Sequence, residues 1–344
     1  EDEVSLSIDG QRFRFWDSVR ITRSMDVVDA IEFGAPFQSD SAEFRETFRP
    51  FSFRDVTATV GGEQFFKGTM VSINPSVDST RKSVQVGGYS TPGALSDCTP
   101  PASAYPLEFN GQGLQEIAQT LAQPFGVNVE FRADQGATFD RVAINPGEKV
   151  LSFLAKLAKQ RNLIISSTQT GALLFWQSVK AGNPVARLSQ GSAPLRSVRP
   201  MFNPQQYYSH ITGLEPVVLG LEGQQFTVKN TRLDGTVRPL TFKTPDAVEA
   251  DVKQAVEAKM GHMFGNMATY AVEVPTWRDP SGKMWEPNTT LTLVAPDAMI
   301  YNEYEFEIRS VVYSKQPAST SAVLTLALPG AFSGNIPETL PWDE

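Results

Sequence analysis

One cysteine, Cys98, and two histidines, His210 and His262, stand in 344 residues. A single thiol excludes an intrachain disulfide and a thiolate metal cluster, and it fits a reducing compartment. Two imidazoles leave almost no room for His-based catalysis or a His-rich metal site. No apolar run approaches the roughly 20 residues that a membrane helix needs, and the sequence opens on the acidic Glu1, Asp2 and Glu3 rather than on a basic, signal-like stretch. Membrane insertion is therefore not expected. Catalytic signatures are missing as well: there is no phosphate-binding Gly-rich loop ending in Lys-Ser/Thr, no G-x-S-x-G elbow and no H-E-x-x-H. The expectation is a chain with no catalytic residue, no metal ligand and no cofactor site.

What is present is a core. Apolar residues make up 41% and charged residues 20%, which excludes disorder, collagen and coiled coil and leaves room for two to four domains. The net charge of −8 repels nucleic acid on average. It is unevenly placed: residues 1–100 and 290–344 each carry −5, while 101–185 and 186–289 carry +1 each. Five of those acids are terminal (Glu1, Asp2, Glu3, Asp343, Glu344), so the bias that remains is weak.

Hydrophobic periodicity predicts a mainly β, α+β chain: two similar antiparallel β-barrels, a two-helix α+β domain and a helical insertion. Residues 1–98 form the first barrel. Val4, Leu6 and Ile8 alternate into the turn Asp9-Gly10, and Val56, Ala58 and Val60 alternate into Gly61-Gly62. An insertion over 34–52 carries Phe37, Phe44, Phe48 and Phe51, which need burial in the parent core or at an intersubunit surface. Residues 99–188 form the α+β domain. Its first helix shows Leu114, Ile117, Ala118, Leu121 and Ala122 on one face. Its second is expected to start at Asn145-Pro146 and to bury Val150, Phe153, Leu154, Leu157 and Ala158. A hairpin turns at Thr170-Gly171. The second barrel takes 189–225, including Val217 to Leu219, and 290–330. Between them, 226–289 holds a helix capped at Thr244-Pro245-Asp246 whose stripe starts at Val248. Residues 331–344 form an extended tail.

One stretch recurs. Met70-Val71-Ser72-Ile73, a polar loop and Val84-Gln85-Val86 match Ile308-Arg309-Ser310-Val311, a polar loop and Leu324-Thr325-Leu326, and Asp78-Ser79-Thr80 parallels Ala318-Ser319-Thr320. A true duplication would place two like barrels around the α+β domain. Glu303, Glu305 and Glu307 superficially resemble a glycosidase carboxylate pair. At i, i+2, i+4 on a strand, however, all three share one face, which reads as a solvated or lumen-facing acidic stripe. In Arg12-Phe13-Arg14-Phe15-Trp16 the alternation of a half-buried strand explains the pattern better than nucleic-acid stacking.

Several of these segments resemble the phage Mu-type baseplate hub proteins. Ile8-Asp9-Gly10, Trp16, Val19 and Ile21-Thr22-Arg23-Ser24-Met25-Asp26 look like their opening. Gly282-Lys283-Met284-Trp285-Glu286-Pro287-Asn288 matches their Gly-x-Leu-Trp-x-x-Asn pattern through Gly282, Trp285 and Asn288, with Pro287 inside it and Met284 in place of Leu. Tyr207-Tyr208-Ser209 and Val237-Arg238-Pro239-Leu240 lie between them in the same order. The resemblance implies the structural hub of a contractile phage tail, similar also to the T-even phage hub, and not an enzyme. It implies a homotrimeric ring of pseudo-six-fold symmetry that joins the tail tube protein to a trimeric tail spike, meets baseplate wedge proteins and lets DNA through its lumen unbound. It places the chain in the virion tail baseplate, assembled in the host cytoplasm. The alternatives are the hub of a bacteriocin or contractile injection particle, a cell-wall hydrolase, and a host-glycan-binding module.

Overall fold

The computed structural model describes residues 3–214, 225–233, 235–243, 252–330, 332 and 337–343. The first module opens with β1 (Val4–Ile8), β2 (Gln11–Phe13), β3 (Ser18–Ser24) and β4 (Ala30–Pro36), of which β1 and β3 alternate buried and less buried residues, as half-buried strands must. Helix α1 (Ala42–Thr47), capped by the Ser41 hydroxyl on the Phe44 amide, follows. Strands β5 (Asp55–Val60), β6 (Glu63–Val77) and β7 (Lys82–Ser90) complete the first module.

Helix α2 (Ala94–Asp97) leads into the second unit, which holds β8 (Glu108–Gln112), α3 (Leu114–Ala122), β9 (Val129–Phe131), β10 (Phe139–Ala143), α4 (Val150–Gln160), β11 (Ile164–Ser167) and β12 (Leu173–Trp176). It has its own core: Ile117, Leu121, Phe153, Leu157 and Phe175 are buried together, apart from the β modules. Both helices bury the predicted faces, but α4 starts at Val150 rather than at Pro146. Asn145 to Glu148 close a turn in which Gly147 takes φ +90°, a left-handed residue that no helix can include.

The chain then returns to the large sheet with β13 (Pro184–Ser189) and β14 (Ser197–Phe202). It leaves through β15 (His210–Leu214), β16 (Gln225–Lys229), β17 (Pro239–Lys243) and α5 (Val252–Met267). It closes with β18 (Ala268–Val274), β19 (Thr290–Ala295), β20 (Ile300–Gln316) and β21 (Ser319–Ala327). Helix α5 buries Val256, Met260, Met263 and Phe264 against this small sheet and the main core. The predicted cap at Thr244, Val248 and the stretch from Val217 to Leu219 lie outside the described residues. Three expected boundaries shift: β15, placed by sequence in the second barrel, pairs instead with β16 and β17 of the small sheet. β18, placed by sequence in the 226–289 insertion, pairs with β21, and β13, placed in the 99–188 domain, pairs with β19; both belong to the second β module.

The fold class is the expected one, α+β and mainly β, with both modules in a single hydrogen-bonded sheet of 13 strands. Its path β3-β4-β7-β6-β5-β1 is matched, strand for strand, by β14-β18-β21-β20-β19-β13. One difference is that β1 runs antiparallel to β5 while β13 runs parallel to β19. The two long hairpins even share an irregularity. The register of β6 on β7 shifts between Met70 and Ser72, and that of β20 on β21 between Ile308 and Ser310. A β-bulge at Val71 therefore recurs at Arg309, each bending its strand at the same point. The register also corrects the sequence alignment. Ser72 faces Gly87 and Ser310 faces Thr325, so Val84 corresponds to Ala322 rather than to Leu324. Asp78-Ser79-Thr80 thus has no structural link to Ala318-Ser319-Thr320: Ser79 and Thr80 sit in a turn, Ser319 and Thr320 on β21. A slip of two residues keeps every side chain on its own face, so hydrophobic pattern alone cannot detect it.

Candidate functional site: the joint between the two strand modules

The modules meet where the outer half of β20 pairs with β3. Six rungs run from Ser310 opposite Ser24 to Lys315 opposite Val19. One core spans the joint. Phe65 of the first module lies edge-on to Tyr313, ring centres 4.9 Å apart, and stacks on Trp277 at 6.4 Å.

The resemblance motif of the opening segment lies on this joint. Arg23, at the end of β3, is buried with its guanidinium 3.3 Å from Asp29 and 3.7 Å from Glu286, and it caps the Phe65 ring at 5.3 Å. Burial pushes the Asp29 carboxyl up to about 6 against the pull of Arg23. Met25 is fully buried. Asp26 takes a 2.8 Å ion pair from Arg309, the bulge residue of the other module. The loop between β3 and β4 also grips the second, two-helix unit. The Asp29 amide donates to Ser167 Oγ at 2.8 Å, Trp176 Nε1 donates to the Met25 carbonyl at 2.8 Å, and Ser166 Oγ donates to the Ser24 carbonyl.

The second motif fastens the same unit from the other side. Asp279 Oδ1 accepts from the Ser281 and Lys283 amides, and Gly282 closes that turn at φ +85°, a left-handed position where glycine carries no steric penalty. The turn delivers Trp285 into the core, fully buried, with its Nε1 donating to the Thr276 carbonyl and its own carbonyl accepting from Tyr313 Oη. Pro287 is buried behind it. Asn288, at φ +62°, then reads the exit of the two-helix unit: Oδ1 accepts from the Val179 amide at 2.7 Å and Nδ2 donates to the Gln177 carbonyl at 2.8 Å. The motif residues are thus a latch between modules.

The acidic stripe divides. Glu303 is exposed and pairs with Arg187 at 2.6 Å, and Glu305 accepts from the Gly182 amide at 2.8 Å. Glu307 is fully buried and does not face solvent. It accepts from Ser178 Oγ at 2.7 Å and from the Val179 amide at 3.2 Å, and burial raises its carboxyl to about 7. Glu305 and Glu307 lie two residues apart on the regular ladder with β19, but the segment 178–182 lies across that face, which no pattern within β20 announces. A carboxyl raised this far resembles a general acid, yet this one is sealed under Ser178. His262 is a packing residue, its ring 5.4 Å from Phe332 and its pKa lowered to about 4 by burial and by Lys159. His210 meets Ser209 Oγ at 3.0 Å, and Cys98 is exposed. Among the described residues no three His, Cys, Asp or Glu side chains converge as a metal site, and no helix is long and apolar enough to cross a membrane.

Of the four insertion phenylalanines, Phe44 and Phe48 are buried with Phe13 and Phe33, and Phe37 packs on Phe48. Phe51 is 85% exposed at φ +60°, and the neighbouring Phe53 is exposed at φ +49°. Sequence reasoning passed over Phe53, Asp29 and Arg309. Only the odd density of aromatics in 44–53 could have drawn attention to the first, and nothing local signals the other two.

Comparisons with known proteins agree with this geometry. Residues 92–177 match the family model "baseplate hub protein gp44-like, second domain". The chain is 22% identical over 307 residues to the baseplate hub protein gp44 of Escherichia phage Mu, covering 85% of this chain and 79% of that protein. Its fold matches the 43 kDa tail protein of prophage MuSo2 from Shewanella oneidensis at a TM-score of 0.82 and 25% identity, over 96% of this chain and 99% of the other. It also matches a tail protein from Neisseria meningitidis MC58 at 0.80 and 18% identity, over 97% and 98%.

Proposed function

We propose that this chain, a baseplate-hub-like phage tail protein of mainly β fold, acts as a homotrimeric ring at the centre of a contractile-tail baseplate. One observation carries the reading: the chain contains the same six-strand module twice, joined edge to edge. Three chains would present six like modules, which suits a docking surface between a six-fold tail tube and a three-fold spike. A closed ring follows from a head-to-tail contact whose rotation closes.

The role is structural rather than enzymatic. The residues gathered at the joint are ion pairs, latches and stacked rings, which suit a load-bearing contact. Wedge proteins contact the outside of the ring, DNA passes through its lumen, and assembly takes place in the host cytoplasm before the tail is complete. The acidic contribution to the lumen narrows to Glu303 and Glu305, because Glu307 is occupied by Ser178. Mass in solution tests the trimer. A particle three times 37.7 kDa, alone or with tube or spike protein added, is expected; a chain that stays monomeric with both partners present refutes it. Glu303→Lys with Glu305→Lys tests the lumen: assembled tails that deliver DNA as well as the parent would remove the acidic-lumen role and leave the ring intact.

A further inference from the structure

The joint between β20 and β3 has a counterpart that is open. β5 flanks β6 only as far as Thr69, so the outer edge of residues 72–77 pairs with no strand among the described residues. Its equivalent, residues 310–315, runs past β19 in the same way, and there β3 fills the edge. The equivalent of β3 is β14, which among the described residues pairs only with β18. One chain therefore holds this joint once made, and carries both of its halves unmade.

We infer that residues 72–77 of one copy pair antiparallel with residues 198–203 of the next, repeating between chains the joint seen within the chain. This rests on the ring trimer proposed above and adds its contact. The duplication fixes the register: Ser72 opposite Asn203, Ile73 opposite Phe202, Asn74 opposite Met201, Pro75 opposite Pro200, Ser76 opposite Arg199 and Val77 opposite Val198.

Two features of these strands, neither used to derive that register, agree with it. The first is polarity. Ile73, Pro75 and Val77 share a face, and the register sets them against Phe202, Pro200 and Val198, so all six are apolar. In the single chain Val77 is 71% exposed and Phe202 44% exposed. On the other face Asn74 and Ser76 meet Met201 and Arg199. A slip of one residue in either direction would keep one apolar rung, Ile73 or Pro75 opposite Met201, and set an apolar side chain against a polar one on every other rung.

The second is proline. Asp78 donates to the Arg81 carbonyl and Asn203 to the Met267 carbonyl. Counting back alternately from these bonds turns the amides of Ile73, Val77, Val198 and Phe202 outward, and with them the ring nitrogens of Pro75 and Pro200. A proline on a bare edge discourages indiscriminate strand addition. In the inferred register both prolines fall on one rung and the rungs on either side keep their donors. A slip of two residues would spoil two of the three rungs.

Cysteine pairs test the register, in a Cys98→Ser background. Asn74→Cys with Met201→Cys places thiols on a rung where cross-strand Cα distances suit a disulfide. Mild oxidation should yield disulfide-linked dimer and trimer at least ten times faster than Asn74→Cys with Arg199→Cys, and Asn74→Cys alone should yield no dimer. On the unmodified chain, hydrogen exchange at Ile73, Val77, Val198 and Phe202 should slow at least tenfold in the trimer relative to the dissociated chain, which decides the matter if a variant fails to fold. A trimer by mass that oxidises equally at both pairs, or that leaves those four amides unprotected, overturns the joint and leaves the trimer standing. A monomer that no pair links overturns both.

Discussion

Glu307→Gln should stabilise this protein at pH 8, and do so less at pH 5. The carboxyl is fully buried and its pKa is raised from 4.5 to about 7, chiefly by burial and against the bonds from Ser178 and Val179. A carboxyl raised on folding contributes its full stability while protonated in both states, below about pH 4.5. That contribution is lost as pH rises toward 7, because the unfolded chain ionises first. At 1.36 kcal/mol per unit the loss reaches about 3 kcal/mol, and about 2 kcal/mol of it falls between pH 5 and pH 8. Glutamine keeps the shape: its carbonyl accepts from the Val179 amide, and its amide reaches Ser178 Oγ, 2.9 Å from the second carboxyl oxygen. Denaturant unfolding of both proteins at pH 5, 6, 7 and 8 reads the difference, which should widen by about 2 kcal/mol across that range in favour of the variant. A constant difference, or a variant less stable than its parent at pH 8, would show that Glu307 is not held as a costly buried charge.

Arg23→Met should destabilise the joint by about 3 kcal/mol, since it leaves the buried Asp29 carboxylate without the cation 3.3 Å from it; a thermal melt within a degree of the parent would contradict this. Asn288→Ala removes the bonds to Gln177 and Val179 and places alanine at φ +62°. A loss of about 2 kcal/mol is expected, with faster proteolysis in 177–183 as the direct readout. Phe51→Asn with Phe53→Asn should leave stability unchanged or raise it by about 1 kcal/mol, because both rings are exposed and asparagine tolerates the left-handed backbone. A large drop in melting temperature would place these rings in a packed role.

The sequence reveals those parts of the molecule whose cause is local. The stripe from Leu114 to Ala122 and the alternation from Val4 to Ile8 each declare an element and its buried face, because period and burial are the same fact there. The Met70 and Ile308 hairpins show that a repeat exists, but the period of two hides the true alignment of β7 on β21. Motif residues Trp285 and Asn288 stand out in sequence, while their partners, Tyr313, Gln177 and Val179, do not, since nothing near those positions hints that the chain returns there. Glu307 marks the limit most clearly. Its strand predicts a face, but the cover on that face comes from a segment 129 residues away in sequence.

Strand β20 is 17 residues long and belongs to both ladders, held by β19 along its first half and by β3 along its second. The modules are therefore not beads on a flexible tether. A lateral pull that separates them acts along six rungs together, with the Asp26–Arg309 pair and the Phe65–Tyr313 contact loaded in the same direction. Such a connection is stiff. In the ring proposed above, a thrust passing from tube to spike would meet a rigid seam inside each chain rather than a hinge.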